Sequence, residues 1–199
     1  MTTDSKIAIN FHTEETPNPN SIKFVSDRKL VEGDGIEFTS FAAAKNSPLA
    51  QALFNFPFVK SVFFSSNYVS VIKYENFETL EVTVPLRDFL NGYIRDGKPV
   101  FSEAIVTQKS SIVEDAIVED VITNEMDIKI VEILNEYIKP AVESDGGAIV
   151  FKSFKNGVVT VALQGSCRGC PSSTMTLKAG IEGLLKRLVP EVESVVAED

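Results

Sequence analysis

A chain of 199 residues with 44% hydrophobic content suffices for one or two soluble domains, each with a core of its own at about 100 residues. Its 19 Lys plus Arg against 28 Asp plus Glu give a net charge of −9 without a basic run, which argues against nucleic acid or an anionic membrane as partner. The N-terminal Met1-Thr2-Thr3-Asp4-Ser5-Lys6 lacks a secretory n-region and h-region, no run approaches the roughly 20 apolar residues of a membrane span, and two cysteines three apart are no disulfide framework, so a cytoplasmic protein with reduced thiols is expected.

In chain order, Ile7 to Phe11 reads as a short strand, and Thr16-Pro17-Asn18-Pro19-Asn20 is turn chemistry leading into a second strand, Ser21 to Val25. Gly33-Asp34-Gly35 marks another turn. Ser47 followed by Pro48 is a cap and first helical residue, with Leu49, Leu53 and Phe54 forming a stripe before Pro57. Val59 to Phe64 and Tyr68 to Tyr74, joined by Ser65-Ser66-Asn67, predict a hairpin. A second helix is expected from Pro85 to Arg95, closing a domain over residues 1–100. The cluster Phe54, Phe56, Phe58, Phe63 and Phe64 is assigned to its core rather than to a ligand pocket.

Between 101 and 125 the chain holds one basic and six acidic residues, net −5 of the total −9. Residues 101–123 are therefore expected to be an acidic linker. Asn124 then caps a helix from Glu125 to Val142, with Ile130, Val131, Leu134, Tyr137, Ile138 and Val142 as its stripe and Pro140 weakening its last turn. Gly146-Gly147 ends this helix, and Asp145 before them is assigned to capping or solvation. Asn156-Gly157 is a strong hairpin signal between Ala148–Lys155 and Val158–Gln164. Pairing Lys155 with Val158 puts Phe154, Lys152 and Val150 on one face with Val159, Val161 and Leu163, and Gly165 at the far end of the sheet. A helix from Ser172 with Leu177, Ile181, Leu184, Leu185 and Leu188 on one stripe, ended by Pro190, and a last strand within Val192 to Ala197 complete residues 124–199. The fold class is α+β: two small domains, the second ordered α-β-β-α-β with its helices on one face of a small mixed sheet.

The only cysteines, Cys167 and Cys170, fall in Gln164-Gly165-Ser166-Cys167-Arg168-Gly169-Cys170-Pro171-Ser172-Ser173, between a strand and a helix. Gly165 and Gly169 permit a tight thiol loop, and Pro171 suits a first helical position, which places Cys170 near the N-cap. The positive end of the helix dipole and the Arg168 guanidinium should favour thiolates, the form that binds metal. Two thiolates are half of a four-ligand zinc or iron–sulfur site. His12, the only histidine, belongs to the other domain and is set aside as a ligand. A second copy of the loop across a two-fold axis completes the four sulfurs most simply. A zinc-bridged dimer and a thiol-redox pair use the same spacing; against the redox reading, Ser166 rather than an aromatic residue precedes Cys167 and the adjoining hairpin is antiparallel.

The segments Glu143-Ser144-Asp145-Gly146-Gly147, Leu163 to Ser173 and Pro190-Glu191-Val192 resemble the NifU C-terminal (Nfu) domain. Residues 16–24, with Ser47-Pro48-Leu49-Ala50 and Val59 to Phe64, resemble the N-terminal domain that accompanies it in Nfu-type proteins. The resemblance implies a carrier or scaffold rather than an enzyme. It would hold a [4Fe-4S] cluster, with [2Fe-2S] as the other form, through Cys167 and Cys170 of each of two subunits. It further implies a cluster-linked homodimer, apo iron–sulfur proteins as recipients and an upstream assembly scaffold as donor. Arg168 departs from the small polar residue common between the family's cysteines.

Overall fold

The computed structural model describes residues 10–33, 35–102, 124–168 and 171–198, with 171–174 described by backbone alone. It divides into two compact units, 1–107 and 108–199. Ile7 to Ile9 and the acidic stretch 103–123 lie outside the described residues. Both units mix helices with a sheet, in agreement with the expected α+β class.

The first unit is a five-stranded antiparallel sheet in the order β1-β2-β5-β4-β3: β1 (Phe11–Glu14), β2 (Ser21–Ser26), β3 (Ile36–Phe38), β4 (Val59–Ser65) and β5 (Tyr68–Lys73). Two helices, α1 (Pro48–Leu53) and α2 (Thr79–Arg95), accompany it. Ser47 caps α1 as expected, its Oγ accepting from the Ala50 amide at 3.1 Å. Alternate residues of the sheet, Ile22, Phe24, Val62, Phe64, Val69 and Val71, form one core with Leu49, Leu53, Leu86 and Leu90 of the helices. Phe64 belongs to this core and Phe54, Phe56 and Phe58 pack against it, with ring pairs such as Phe56 and Phe89, 5.2 Å apart, extending it outward. Phe63, between Val62 and Phe64, is buried on the other face of the sheet beside Tyr68.

Three expectations for this unit change. The first strand starts at Phe11 and runs to Glu14, where the Phe11 amide donates to Asn91 Oδ1 at 2.8 Å and so ties the sheet edge to α2. The strand β3 was not anticipated, because three residues at a sheet edge carry no period. Helix α2 begins six residues before Pro85, which lies inside it. A proline removes one hydrogen bond from a helix, and burial of Val82, Leu86, Leu90 and Tyr93 on one face offsets that loss. Phe101, the first residue of the expected linker, packs its ring 5.4 Å from Phe64.

In the second unit a helical run opens at Asn124, whose Oδ1 accepts from the Asp127 amide at 2.9 Å. It comprises α3 (Glu125–Ile133), a π turn (Leu134–Ile138) and α4 (Lys139–Ser144). The π turn answers Pro140: its ring would crowd the carbonyl four residues back, and the wider turn relieves that clash without ending the helix. The inserted residue also rotates the face that follows it, so Tyr137, expected in the stripe, is 53% exposed.

The sheet β6 (Gly147–Lys155), β7 (Val158–Gly165), β8 (Ser194–Glu198) is mixed, β6 antiparallel and β8 parallel to β7. Asn156 and Gly157 both have positive φ, as a two-residue turn of this kind requires. Lys155 pairs with Val158 as expected, but a register shift between Phe151 and Ser153 sets Phe151 opposite Val161 and Ile149 opposite Leu163. Without that bulge Lys152 would lie on the core face; with it Lys152 is exposed and Ile149 joins the core. Helix α5 (Pro171–Leu188) supplies Ile181 and Leu185 to the same core, together with Ile130, Val142, Val159 and Val195.

Candidate functional site

At the end of the sheet next to the cysteine loop, β6 begins and β7 ends on a glycine, Gly147 opposite Gly165. One residue earlier, Gly146 takes φ +79° beyond the end of α4, and Gly165 takes φ +63° at the end of β7. Both lie in the left-handed region that glycine enters at little cost. The chain therefore bends sharply on each side of the sheet's end, and the bends are tied together: the Ser166 amide donates to the Gly146 carbonyl at 3.2 Å. The Arg168 amide donates to the Gly165 carbonyl at 3.1 Å, closing a four-residue turn with Cys167 at its third position.

This turn carries Cys167 inward. Its residue is 3% exposed and belongs to the apolar core that includes Ile149, Val161 and Leu163. Space for the sulfur exists because Gly147 has no side chain. A Cβ at that position would lie 2.7 Å from Cys167 Sγ, 2.7 Å from the Gln164 carbonyl oxygen and 3.1 Å from Cys167 Cβ. The first two separations are shorter than real Cβ contacts, and one of the atoms is backbone that cannot swing aside.

A thiol loop at the far end of the sheet is expected to be accessible, and for Cys167 that expectation is corrected. Its position in the sequence, after a strand and inside a loop, is as expected, but the paired positive-φ glycines fold that loop back over the sheet's end. Arg168 is half-buried and Ser166 is buried. Cys170 lies outside the described residues; α5 begins immediately after it, at Pro171.

Asp145 occupies the C-cap of α4, its amide donating to the Ala141 carbonyl at 3.1 Å. His12 stands on β1 in the first unit, 65% exposed, with Nε2 3.5 Å from Glu14 Oε1. Among the described residues, no group of three or more His, Cys, Asp or Glu forms a metal-binding cluster. A soft sulfur donor on a loop, with a glycine recess beside it, fits a thiolate-ligated iron–sulfur cluster or zinc.

The residue that sequence reasoning missed is Gly147. A helix end needs one glycine at the left-handed position, and Gly146 fills that role. The second glycine of the pair was the available signal, since it stands at φ outside that region and its smallness serves the cysteine instead.

At the opposite end of the sheet, where Val195 pairs with Val159, the electrostatics are structural. On α5, Glu182 accepts from Lys186 Nζ at 2.6 Å and from the Val195 amide at 3.0 Å, which fastens β8 to the helix. The hydrogen bond from Lys186, then that from Val195, holds the Glu182 carboxyl below its ordinary value.

Two family models match this chain. A NifU-like domain covers residues 130–196, and the N-terminal domain of the scaffold protein Nfu/NifU covers residues 11–97. Among curated proteins, the "NFU1 iron-sulfur cluster scaffold homolog, mitochondrial" of Drosophila willistoni is 40% identical over 184 residues, 92% of this chain and 61% of that protein. The human protein of the same description is 39% identical over 186 residues, 92% of this chain and 69% of its own length. The chain thus spans about three fifths to two thirds of these relatives. A solution NMR structure of a NifU-like protein from Saccharomyces cerevisiae matches 51% of this chain and 91% of its own, with a TM-score of 0.44 and 22% identity.

The relatives' names overturn the expectation of a cytoplasmic protein, since they are called mitochondrial. That expectation rested on secretory and membrane signals, and an organellar transit peptide is amphipathic, rich in Arg and Ser, and shares neither pattern. With both domain models matched in chain order and 39% identity to the human protein over 92% of this chain, the chain belongs to the Nfu/NifU family of iron–sulfur cluster scaffold proteins.

Proposed function

We propose that this protein carries a [4Fe-4S] cluster between two copies of itself, each contributing Cys167 and Cys170, and passes it to apo iron–sulfur proteins. An upstream assembly scaffold would supply the cluster. The single observation that supports this most is the loop that joins β7 to α5, where a cysteine sulfur is fitted against Gly147 at the end of a rigid sheet. Four-thiolate ligation is the usual arrangement for such clusters, and one chain has two thiols.

The cluster is cargo, and its transfer is ligand exchange. A recipient thiolate forms a bond to iron while the bond from Cys167 or Cys170 breaks. The released thiolate takes up a proton from water, and no electron changes hands. Because each chain supplies only two bonds, the exchange proceeds one subunit at a time. Nothing in this sequence of steps requires catalysis of a covalent change in a substrate, so the protein is a carrier rather than an enzyme.

Anaerobic reconstitution with ferrous iron and sulfide, followed by visible absorption and iron and sulfide analysis, tests the reading. The expected result is a brown protein with four irons per two chains, lost in Cys167→Ala and in Cys170→Ala. One zinc per two chains with no uptake of iron would favour a zinc-bridged dimer instead. An oxidised intrachain pair that exchanges with thiols and takes up neither metal would favour a redox protein.

A further inference from the structure

The proposed cluster requires its ligands to be reached from a second chain, yet Cys167 is 3% exposed and sits among core side chains. Gly147 resolves this conflict. Its φ is not in the left-handed region, so backbone freedom is not what the position asks of glycine. What it supplies is room, since a Cβ there would overlap both the Cys167 sulfur and the Gln164 carbonyl oxygen. Gly180 and Gly183 on α5 differ, for a Cβ at either would meet nothing within 4 Å.

We infer that Gly147 is a positioning residue for Cys167: its bare Cα forms a recess into which the thiol withdraws, and the thiol leaves that recess to join a cluster shared with a second chain. The inference rests on the reading of Cys167 as a cluster ligand. It adds a two-position thiol governed by a residue that touches no iron. Withdrawn, the sulfur is screened from oxidants and alkylating agents by the end of the β6–β7 sheet. Turned out, it can meet iron.

The test is the rate at which iodoacetamide labels Cys167 in the full-length, chelator-treated protein, followed by peptide mass. The expected result is slow labelling of the native chain and at least tenfold faster labelling of Gly147→Ala, with thermal unfolding showing that the variant is still folded. Gly180→Ala should label at the native rate. Equal rates for the native chain and folded Gly147→Ala would overturn the inference.

Should Gly147→Ala prove unable to fold, the Cys167→Ala background decides. Removing the sulfur takes away one of the two shortest overlaps, so Gly147→Ala should regain a cooperative thermal unfolding transition in that background. Failure to fold there as well would overturn the recess. The labelling uses no cluster, so the two readings fail separately. Normal labelling behaviour with failed reconstitution strikes the carrier proposal, and unchanged labelling with normal reconstitution strikes only the recess.

Discussion

The two units use similar materials for opposite ends. In the first, five strands and two helices enclose a core of large side chains, with Phe24, Phe64, Leu49, Leu53 and Leu86 fully buried. In the second, three strands and fewer aromatic residues suffice, and the end of the sheet is left to Gly146, Gly147 and Gly165, with a cysteine seated among them. Side-chain volume fills the first unit; in the second, the missing side chain of Gly147 leaves the room that the Cys167 sulfur occupies. Rigid elements that present a loop carrying the chemistry are a recurrent solution in proteins.

The sharpest way to break this contrast is Phe64→Ala, which empties a site of 0% exposure. A buried Phe→Ala change costs about 3–5 kcal/mol. Urea unfolding of the full chain should show that loss in the first unit while iron bound per chain in the second is retained; loss of iron as well would mean that the units do not divide the work as described. Leu185→Ala, at 0% exposure in the second core, should cost about 2–5 kcal/mol, and here cluster capacity should fall together with stability. If iron uptake survived undiminished, the second core would not be what holds the loop.

Helix starts give a smaller and paired effect. Asn124→Ala removes the side-chain acceptor of α3 and should cost about 1 kcal/mol. Ser47→Ala should cost at least as much, because Ser47 Oγ is fully buried and also donates to the Val100 carbonyl at 2.8 Å. Chemical denaturation of each variant checks the order.

The smallest effect is pH dependence at Glu182. Its folded value is lowered by Lys186 and Val195, so the stability it contributes is present above the unfolded glutamate value of about 4.3. That contribution is lost as the pH falls through the lower folded value. Glu182→Gln should therefore narrow the gap between unfolding temperatures at neutral pH and near pH 3, and an unchanged gap would remove the carboxylate from the account.

Much of the architecture was legible because local signals agreed with one another. Ser47-Pro48, Asn124 and Asn156-Gly157 each act through a hydrogen bond or a φ preference confined to a few residues, and each stands where expected. What escaped detection depended on distant packing. Pro85 lies inside α2 because four buried side chains outweigh one missing hydrogen bond, and Tyr137 is turned outward by the π turn before Pro140. The bulge near Lys152 is of the same kind, since only the core across the hairpin reveals that a lysine cannot face it.

At the site, the cysteine spacing and the glycines around it could be read from the chain. The inward direction of Cys167 could not. It follows from two positive-φ glycines 19 residues apart acting on one turn, together with a third glycine whose value is the volume it does not fill.

In the proposed function each chain brings half of a ligand set. The most direct test is light scattering combined with iron analysis of the anaerobically reconstituted protein, before and after Cys167→Ala. The expected result is four irons on a particle of two chains, and a monomer without iron in the variant. A full complement of iron on a single chain, or an unchanged cluster in Cys167→Ala, would contradict it.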